Sequence, residues 1–488
     1  MQSRRDQVQA HLFVMGRITS GMLRADPDAP ESPQGRTNRG AVIGLVIAVL
    51  LCAAAFAWGL ISPGKSDTWR DSQSLVVEKD TGTAYLYLDG RLRPVRNYVS
   101  ARLIAGAKLT TKMVRTKSLN GAPHGQPVGI AEAPDSLPSA DSLTQGAWAV
   151  CSGAGSPDSV APVTTLAVGV SGQDDGALTA GEAMLVSAPD AGMYLVWQGS
   201  RLRLDQQGGA VTALGYGGRT PTPVSAAFLD ALPAGPDLAA PAVPGMGHAG
   251  SSLNGHRTRI GQVFRVGVLG AAPRYYQLRQ NGLAEVSLTV ADLLLGDPSV
   301  RRYAYAGRNA TAATLPPDVL NGHLAPGADS AASAAMPDSP PGLVGRQPGL
   351  TPCVRVQPSA AGPRVSVALD DQAALGTVAQ AATGAACTAV DRITVPPGGG
   401  ALVRALAADG GTAGATTYLV TDTGTKYRVS SDSDLAALGY SASQAEALPS
   451  PMLSMLPTGP DLSAQAASSG ISSTTMPPCA GTRKAATS

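Results

Sequence analysis

Two stretches of this chain have residue types and spacings that could do chemistry. Gly59-Leu60-Ile61-Ser62-Pro63-Gly64-Lys65-Ser66 fits the pattern of a phosphate-binding loop, G-x-x-x-x-G-K-[ST]. In such loops backbone amides cradle phosphates, and the lysine reaches the terminal oxygens. That chemistry needs a strand feeding the loop and a helix opening after the lysine. Here the first residues of the pattern finish an apolar run, Pro63 removes one amide, and no convincing helix follows Ser66. A helix stop followed by an interfacial lysine is the favoured reading. The second pattern is paired. Asp80-Thr81-Gly82-Thr83 and Asp422-Thr423-Gly424-Thr425 resemble the twin loops of pepsin-like proteases. In those enzymes two close carboxylates share a proton because both cannot ionise. But Lys79 and Thr421 precede the aspartates where such loops carry apolar strands. Asp-Thr-Gly between β-forming runs also makes hairpins, since Asp bonds its own backbone and Gly supplies positive φ. The hairpin reading is favoured.

The remaining reactive side chains form no catalytic set. His11, His124, His248, His256 and His323 are scattered, with no H-E-x-x-H pair. There is no G-x-S-x-G elbow. No catalytic, cofactor-binding or metal-binding residue is expected. Of five cysteines, Cys52 lies inside the apolar run and reads as a small hydrophobe. Cys151, Cys353, Cys387 and Cys479 lie beyond it, none in a C-x-x-C pair. An even number in an oxidising compartment predicts two disulfides, with three connectivities open.

The element that must position everything else is the uncharged run at residues 41–61. At about 1.5 Å per residue, 21 residues of helix span about 30 Å, the thickness of a bilayer's hydrocarbon core. Trp58 falls where an amphipathic ring settles among headgroups, and Pro63-Gly64 stops the helix. Arg36 and Arg39 directly precede the run, and Arg4, Arg5, Arg17 and Arg24 lie further upstream. The positive-inside rule then predicts a cytoplasmic N-terminus and an external body. A cleaved signal peptide competes, because Ala55-Phe56-Ala57 resembles a cleavage site. The long run and the roughly 40 residues before it favour a retained anchor.

In the arm, Val8, Leu12, Met15, Ile18 and Met22 recur at three- and four-residue spacing. They predict a short amphipathic helix that either lies on the inner membrane surface or docks onto a partner. A polar Pro/Gly linker is expected over 26–40. Net charge is +2 and charged residues are 15% of the chain, which argues against nucleic acid as a partner. With Gly 57, Pro 38 and aromatics at 4%, short strands joined by long loops are expected rather than a helical bundle.

The body is internally duplicated. Tyr194-Leu195-Val196 recurs as Tyr418-Leu419-Val420, and Ala213-Leu214-Gly215-Tyr216 recurs as Ala437-Leu438-Gly439-Tyr440. Gly235-Pro236-Asp237-Leu238 recurs as Gly459-Pro460-Asp461-Leu462, all at an offset of 224. Upstream, Pro134-Asp135-Ser136 parallels Pro337-Asp338-Ser339, Cys151 parallels Cys353, and 85–101 resembles 275–291. Two halves follow, each with a repeat unit, a cysteine-bearing middle segment and a second repeat unit. Short helical stretches are predicted at 224–232 and 449–456, each ended by Leu-Pro.

Several of these segments together resemble the EccB family, a membrane component of type VII (ESX) secretion machinery of actinobacteria and relatives. They are Gln2-Ser3-Arg4-Arg5-Asp6-Gln7-Val8-Gln9-Ala10-His11, Arg24-Ala25-Asp26-Pro27-Asp28-Ala29-Pro30 and Gly35-Arg36-Thr37-Asn38-Arg39-Gly40. Gly90-Arg91-Leu92-Arg93-Pro94-Val95-Arg96-Asn97-Tyr98 and Pro123-His124-Gly125 add to them. The resemblance implies an elongated, β-rich α+β body of four repeat domains around a central β core with pseudo-twofold symmetry. It implies a structural role, with EccC, EccD, EccE and further copies of the chain as partners. Repeats like phage cell-wall-binding modules make cell-wall contact a compatible role. The resemblance and the matching places of the two cysteines imply a Cys151–Cys353 bridge, leaving Cys387–Cys479 as the second.

The expected divisions are the arm 1–40, span 41–61, first repeat unit 68–118, first core segment 119–188 and second repeat unit 189–250. The third repeat unit follows at 255–325, the second core segment at 340–412, the fourth repeat unit at 413–464 and a flexible tail at 465–488. The competing class is a membrane-anchored enzyme, either a nucleotide hydrolase using Lys65 or a protease using Asp80 and Asp422.

Overall fold

The computed structural model describes residues 4–24, 33–61, 67–155, 161–170, 176–268, 270–326, 335–359, 362–371, 380–381, 386–406 and 413–475. The fold is α+β and strand-rich, with one long apolar helix near the N-terminus. It divides into two compact units. The smaller comprises Met1–Asp71, Val76–Thr83 and Thr111–Pro123; the larger comprises Ser72–Leu75, Ala84–Thr110 and His124–Ser488.

In the smaller unit, α1 (Arg4–Arg24) is the amphipathic arm helix and α2 (Pro33–Ile61) the apolar one. The helix α2 starts eight residues before residue 41, so the latter half of the expected linker is helical. Proline suits that start, because its fixed φ is helical and its missing N–H is unneeded in the first turn. Thr37–Trp58 is the apolar stretch, with its side chains exposed. A one-turn helix, Asp67–Trp69, follows, with Trp69 only 1% exposed. Lys112 Nζ donates to Thr68 O at 2.5 Å and lies 3.8 Å from Asp71 Oδ2, fixing this segment.

Along the chain the body then forms β1 (Ser74–Glu78), β2 (Ala84–Leu88), β3 (Arg91–Pro94), α3 (Tyr98–Ala105) and β4 (Thr110–Val114). Two core strands come next, β5 (Ala147–Gly153) and β6 (Val163–Val170). Then follow β7 (Glu182–Ser187), β8 (Met193–Trp197), β9 (Ser200–Arg203), α4 (Ala210–Ala213), β10 (Thr222–Pro223) and α5 (Ala226–Asp230). A third set is β11 (Val263–Val268), β12 (Ala271–Arg279), β13 (Gly282–Val286), α6 (Leu288–Gly296) and β14 (Ala313–Leu315). The short strand β15 (Gly342–Leu343) leads into β16 (Leu350–Gln357), β17 (Arg364–Asp371), β18 (Gln380–Ala381) and β19 (Arg392–Thr394). The last set is β20 (Gly400–Leu406), β21 (Ala413–Thr421), β22 (Lys426–Val429), α7 (Asp432–Leu438), β23 (Glu446–Pro449), α8 (Ser450–Ser454) and α9 (Ala464–Ser469).

Three sheets in the larger unit share one topology: β9-β8-β7-β10, β13-β12-β11-β14 and β22-β21-β20-β23. In each, the first strand lies between an antiparallel second strand and a parallel fourth. Strands β7 and β20 fall within the expected core segments, yet they belong to these sheets. The helices expected at 224–232 and 449–456 are present as α5 and α8, and α9 occupies the start of the expected flexible tail.

Each third strand is closed by the same contact. Gly125 N donates to Leu92 O, Gly235 N to Arg201 O, Ala325 N to Leu283 O and Gly459 N to Lys426 O, all at 2.9 Å. The glycines are steric necessities. A Cβ at Gly125, Gly235 or Gly459 would fall 2.8, 2.7 or 2.3 Å from side-chain atoms of Arg93, Leu202 or Tyr427. Where the corresponding residue is Ala284, Ala325 can replace the glycine.

The central sheet runs β17-β16-β5-β6-β19-β18. Its apolar face, with Trp148, Val150, Leu166, Val354 and Val356, merges with Phe228 and Leu229 of α5 and Met452 and Leu453 of α8 into the largest core. The middle segments cross over to dock. Tyr440 Oη donates to Pro138 O at 2.6 Å, and Tyr216 Oη donates to Pro341 O at 3.0 Å. Thr144 N donates to Gly400 O, while Gly342 N donates to Gly181 O. Burial pushes the Tyr216 phenol up to about 12 and raises that of Tyr440, so both stay protonated donors. Tyr216→Phe and Tyr440→Phe should each lower the unfolding free energy by about 1–2 kcal/mol, because each leaves a buried carbonyl unpaired. Urea denaturation of the detergent-solubilised chain measures this, and unchanged midpoints would show that the hydroxyls hold nothing.

Candidate functional site

The most exposed apolar surface outside the span is on α1. Val8, Leu12, Met15, Ile18 and Met22 are 58, 65, 51, 49 and 84% exposed. At about 100° per residue they share one side of the helix, with Asp6, Arg17 and Arg24 on the other. Thr19 Oγ1 returns a bond to Met15 O at 2.6 Å, so this hydroxyl on the apolar side is self-satisfied. Phe13 and Val14 are also exposed, at 67 and 52%. Three- and four-residue spacing does not find them, because Phe13 falls off the face; the unbroken run Leu12-Phe13-Val14-Met15 was the available signal.

The catalytic patterns fall apart in three dimensions. Gly59, Leu60 and Ile61 form the end of α2, so the phosphate-loop pattern is entered from a helix. Lys65 lies outside the described residues. The two Asp-Thr-Gly copies are turns. Gly82 has φ +75° and donates to Glu78 O at 2.8 Å; Gly424 has φ +73° and donates to Thr421 O at 2.9 Å. Asp80 Oδ2 accepts from Thr116 Oγ1 at 2.5 Å and from Thr116 N at 3.3 Å. The Thr116 hydroxyl, then its amide, hold the Asp80 carboxyl below its usual value. A proton-sharing dyad would need one carboxyl raised instead. Asp422 Oδ2 accepts from Gly398 N at 3.0 Å, a loop-fixing bond.

The expected Cys151–Cys353 bridge is present in the central sheet. Cys151 and Cys353 stand directly opposite on β5 and β16, with Cα atoms 4.0 Å apart and a bond between sulfurs. Both are buried. These sulfurs and Asp370 lie close enough to suggest a metal set, but the sulfurs are bonded to each other. Asp370 is held by Arg355 through contacts of 2.6 and 3.1 Å. Cys387 is also disulfide-bonded; Cys479 lies outside the described residues. Cys52 is free and exposed on α2.

One buried polar group escapes sequence reasoning. Lys426 is 1% exposed, and its Nζ donates to Leu453 O at 2.7 Å and Leu456 O at 2.6 Å, at the end of α8. A cation suits the carbonyl end of a helix, yet burial pulls its pKa down to about 8. The available signal was its place in the duplication. Arg201, which makes the same strand-closing contact, reaches Asp230 at the end of α5 at 3.2 Å.

A single helix long and apolar enough to cross a membrane, an exposed amphipathic arm and a disulfide-tied, strand-rich body describe a single-pass membrane protein. The family model described as "Type VII secretion system ESX-1, transport TM domain B" (EccB) matches residues 1–475. The chain belongs to the EccB family. It is 31% identical to the ESX-3 secretion system ATPase EccB3 of Mycolicibacterium smegmatis, over 94% of this chain and 89% of that one. It is 29% identical to the ESX-1 secretion system ATPase EccB1 of the same species, over 94% of each chain. Among solved structures, the EccB3 dimer from the ESX-3 core complex matches with a TM-score of 0.65 and 28% identity, over 81% of this chain and 99% of that one. A chain of the intact ESX-5 inner membrane complex shares the fold, with a TM-score of 0.65 and 24% identity over 98% and 97%.

The buried lysine gives a pH signature. Its folded pKa is lowered, so between about pH 8 and 10.5 the unfolded chain holds a proton that the folded chain lacks. Stability therefore rises with pH across that window. Above pH 10 the raised tyrosines act in the opposite sense. From pH 7.5 to 9.5 the gain from Lys426 should be about 2 kcal/mol. Denaturant titrations at both pH values should show it in the parent and not in Lys426→Met; equal slopes would refute the assignment.

Proposed function

We propose that this chain is a structural, single-span subunit of a type VII secretion complex, linking a cytoplasmic base to an assembly on the other side of the membrane. The observation that carries the reading is a family match running through arm, span and body together. In this reading the apolar face of α1 docks onto cytoplasmic partners of the EccC and EccD kind, with EccE in the same complex. The body meets further copies of itself, as in the solved EccB3 dimer, and cell-wall contact is a compatible extra role. The arginines of the arm, Arg36 and Arg39 above all, support a cytoplasmic N-terminus.

The body is built, in the same reading, from four equivalent units around the central sheet, related by an approximate twofold at Cys151–Cys353. Support comes from the strand-strand-strand-helix-strand order, which occurs four times, and from the four equal closing contacts. Helix α3 shares a core with α7 and α9, as α4 does with α6, so the outer units pair and the inner units pair.

The relatives' names include the word ATPase. A hydrolytic reading would rest on Lys65, in a pattern entered from a helix rather than a strand. Secretion should therefore survive Lys65→Ala; its loss with the complex intact would favour hydrolysis. A cysteine at Ser20 should resist a membrane-impermeant thiol reagent in intact cells, while one at Ser333 should react. The reverse pattern would invert the topology. Leu12→Asp with Met15→Asp should release the chain from its cytoplasmic partners while leaving it membrane-bound. Co-purification of the double variant with the full complex would mean that the face only lies on lipid.

A further inference from the structure

Charge is sorted by sign along the body. Residues 118–200 hold eight Asp and Glu and no Lys or Arg, whereas residues 238–284 hold five Arg and no acid. Residues 298–317 add three Arg and again no acid. The two basic stretches meet in the sheet β13-β12-β11-β14 and the segments packed on it.

The meeting point is a short extra helix, Pro298–Tyr303. It lies in the link from α6 to β14, residues 297–312, which is sixteen residues long. The links from α4 to β10, 214–221, and from α7 to β23, 439–445, need only eight and seven. Closing the sheet therefore does not require the surplus. Arg302 Cζ stands 5.6 Å from the centroid of the Tyr303 ring, a cation–π arrangement. Gly247, at φ +85°, packs beside this tyrosine: a Cβ there would fall 3.1 Å from Tyr303 Cβ. The same glycine's carbonyl accepts from Arg259 Nη1 at 3.3 Å. Gln262 ties the two segments together, accepting from Arg259 N at 3.0 Å and donating to Ala304 O at 3.2 Å. Tyr303 is 51% exposed, and Arg259 and Arg302 are exposed too. Among the described residues neither arginine pairs with a carboxylate. The backbone is fixed while two guanidinium groups and a ring face outward, the composition of an interface hot spot.

The acidic stretch has a matching exposed pair, Glu132 and Asp135. The Tyr427 phenol is raised above its usual value by burial, and Asp135 and Glu132 add to the rise, which places both carboxylates near its oxygen. Glu132 is held at φ +61°, a left-handed position that is strained for a residue with a side chain. Among the described residues neither carboxylate pairs with Lys or Arg, so the two surfaces do not satisfy each other within one copy. We propose that Arg259, Arg302 and Tyr303 of one copy of the chain dock against Glu132 and Asp135 of a second copy. The inference rests on the reading that the body meets further copies of itself, and it names the surfaces. Guanidinium forks match carboxylates in pairs, and the tyrosine supplies apolar contact area beside them. Opposite signs on the two surfaces also fix which face meets which.

The test is self-association of the full chain in detergent, read by sedimentation equilibrium at low and raised salt. Arg259→Glu with Arg302→Glu should weaken association at least about tenfold at low salt, and raised salt should narrow the gap. Adding Glu132→Arg and Asp135→Arg to that variant should bring association back to within about threefold of the parent, because the swapped charges match again. Non-reducing peptide mapping should find the Cys151–Cys353 bridge in every variant, which separates lost docking from lost folding. Should charge reversal unfold the chain, Arg259→Gln with Arg302→Gln is the milder pair, expected to weaken association about threefold. Parent-like association of the arginine variants, or no recovery in the folded fourfold variant, overturns the proposal. So does a glutamate hexapeptide that binds the parent through these arginines while self-association ignores them, which would mean a different acidic partner. A parent that stays monomeric at every concentration is a separate result, and refutes contact between copies altogether.

Discussion

The arrangement of the body depends on two cysteines meeting across adjacent antiparallel strands. Cys151 and Cys353 are separated by 202 residues and stand in register on β5 and β16. Closing a loop of that length removes unfolded-chain entropy worth about 5 kcal/mol in the loop model. The register matters as much as the bond. Because side chains alternate with period two, a slip by one residue would turn Val354 and Val356 out of the core and bring Arg355 into it. The bond forbids that slip. On the polar side of the sheet, Arg355 of β16 and Asp370 of β17 are nearly buried and satisfy each other, which removes the cost of an unpaired charge.

Around this sheet, segments far apart in sequence hold each other: Thr144 pairs with Gly400 at the start of β20, and β15 pairs with β7. The Tyr-to-Pro bonds, Tyr440 to Pro138 and Tyr216 to Pro341, complete both docks. Pairing between residues so far apart in sequence raises contact order and slows folding.

Much of this was legible because duplication is written in residues that geometry cannot replace. Gly215 and Gly439 end short helices with positive φ, and Gly235 and Gly459 allow a backbone approach that any Cβ would block. Such positions stay recognisable between copies. Boundaries were less legible. Strands β7 and β20 lie next in sequence to strands of the central sheet, β6 and β19, so their residues look like core. The helical start at Pro33 was hidden by its polar composition, since proline, glycine and arginine there read as linker. Lys426 was invisible for another reason. Its neighbours Tyr427 and Val429 mark a strand, but nothing local shows that the C-terminal end of α8 arrives above it.

The arm and span differ from the body in where their interactions are completed. The body's large side chains are mostly buried, whereas the apolar residues of α1 and α2 are exposed along their length. A lipid phase satisfies α2, whose 22-residue apolar stretch has its backbone bonds made within the helix. The helix α1 is too polar for that environment, with Arg4, Arg5, Asp6 and Arg17 interspersed. Burying an aliphatic side chain is worth about 1.5–3 kcal/mol, so its five-residue face offers at most about 15 kcal/mol before ordering costs. With charge on one side and apolar residues on the other, α1 matches a surface that is itself part apolar and part polar, whereas α2 matches a bilayer core.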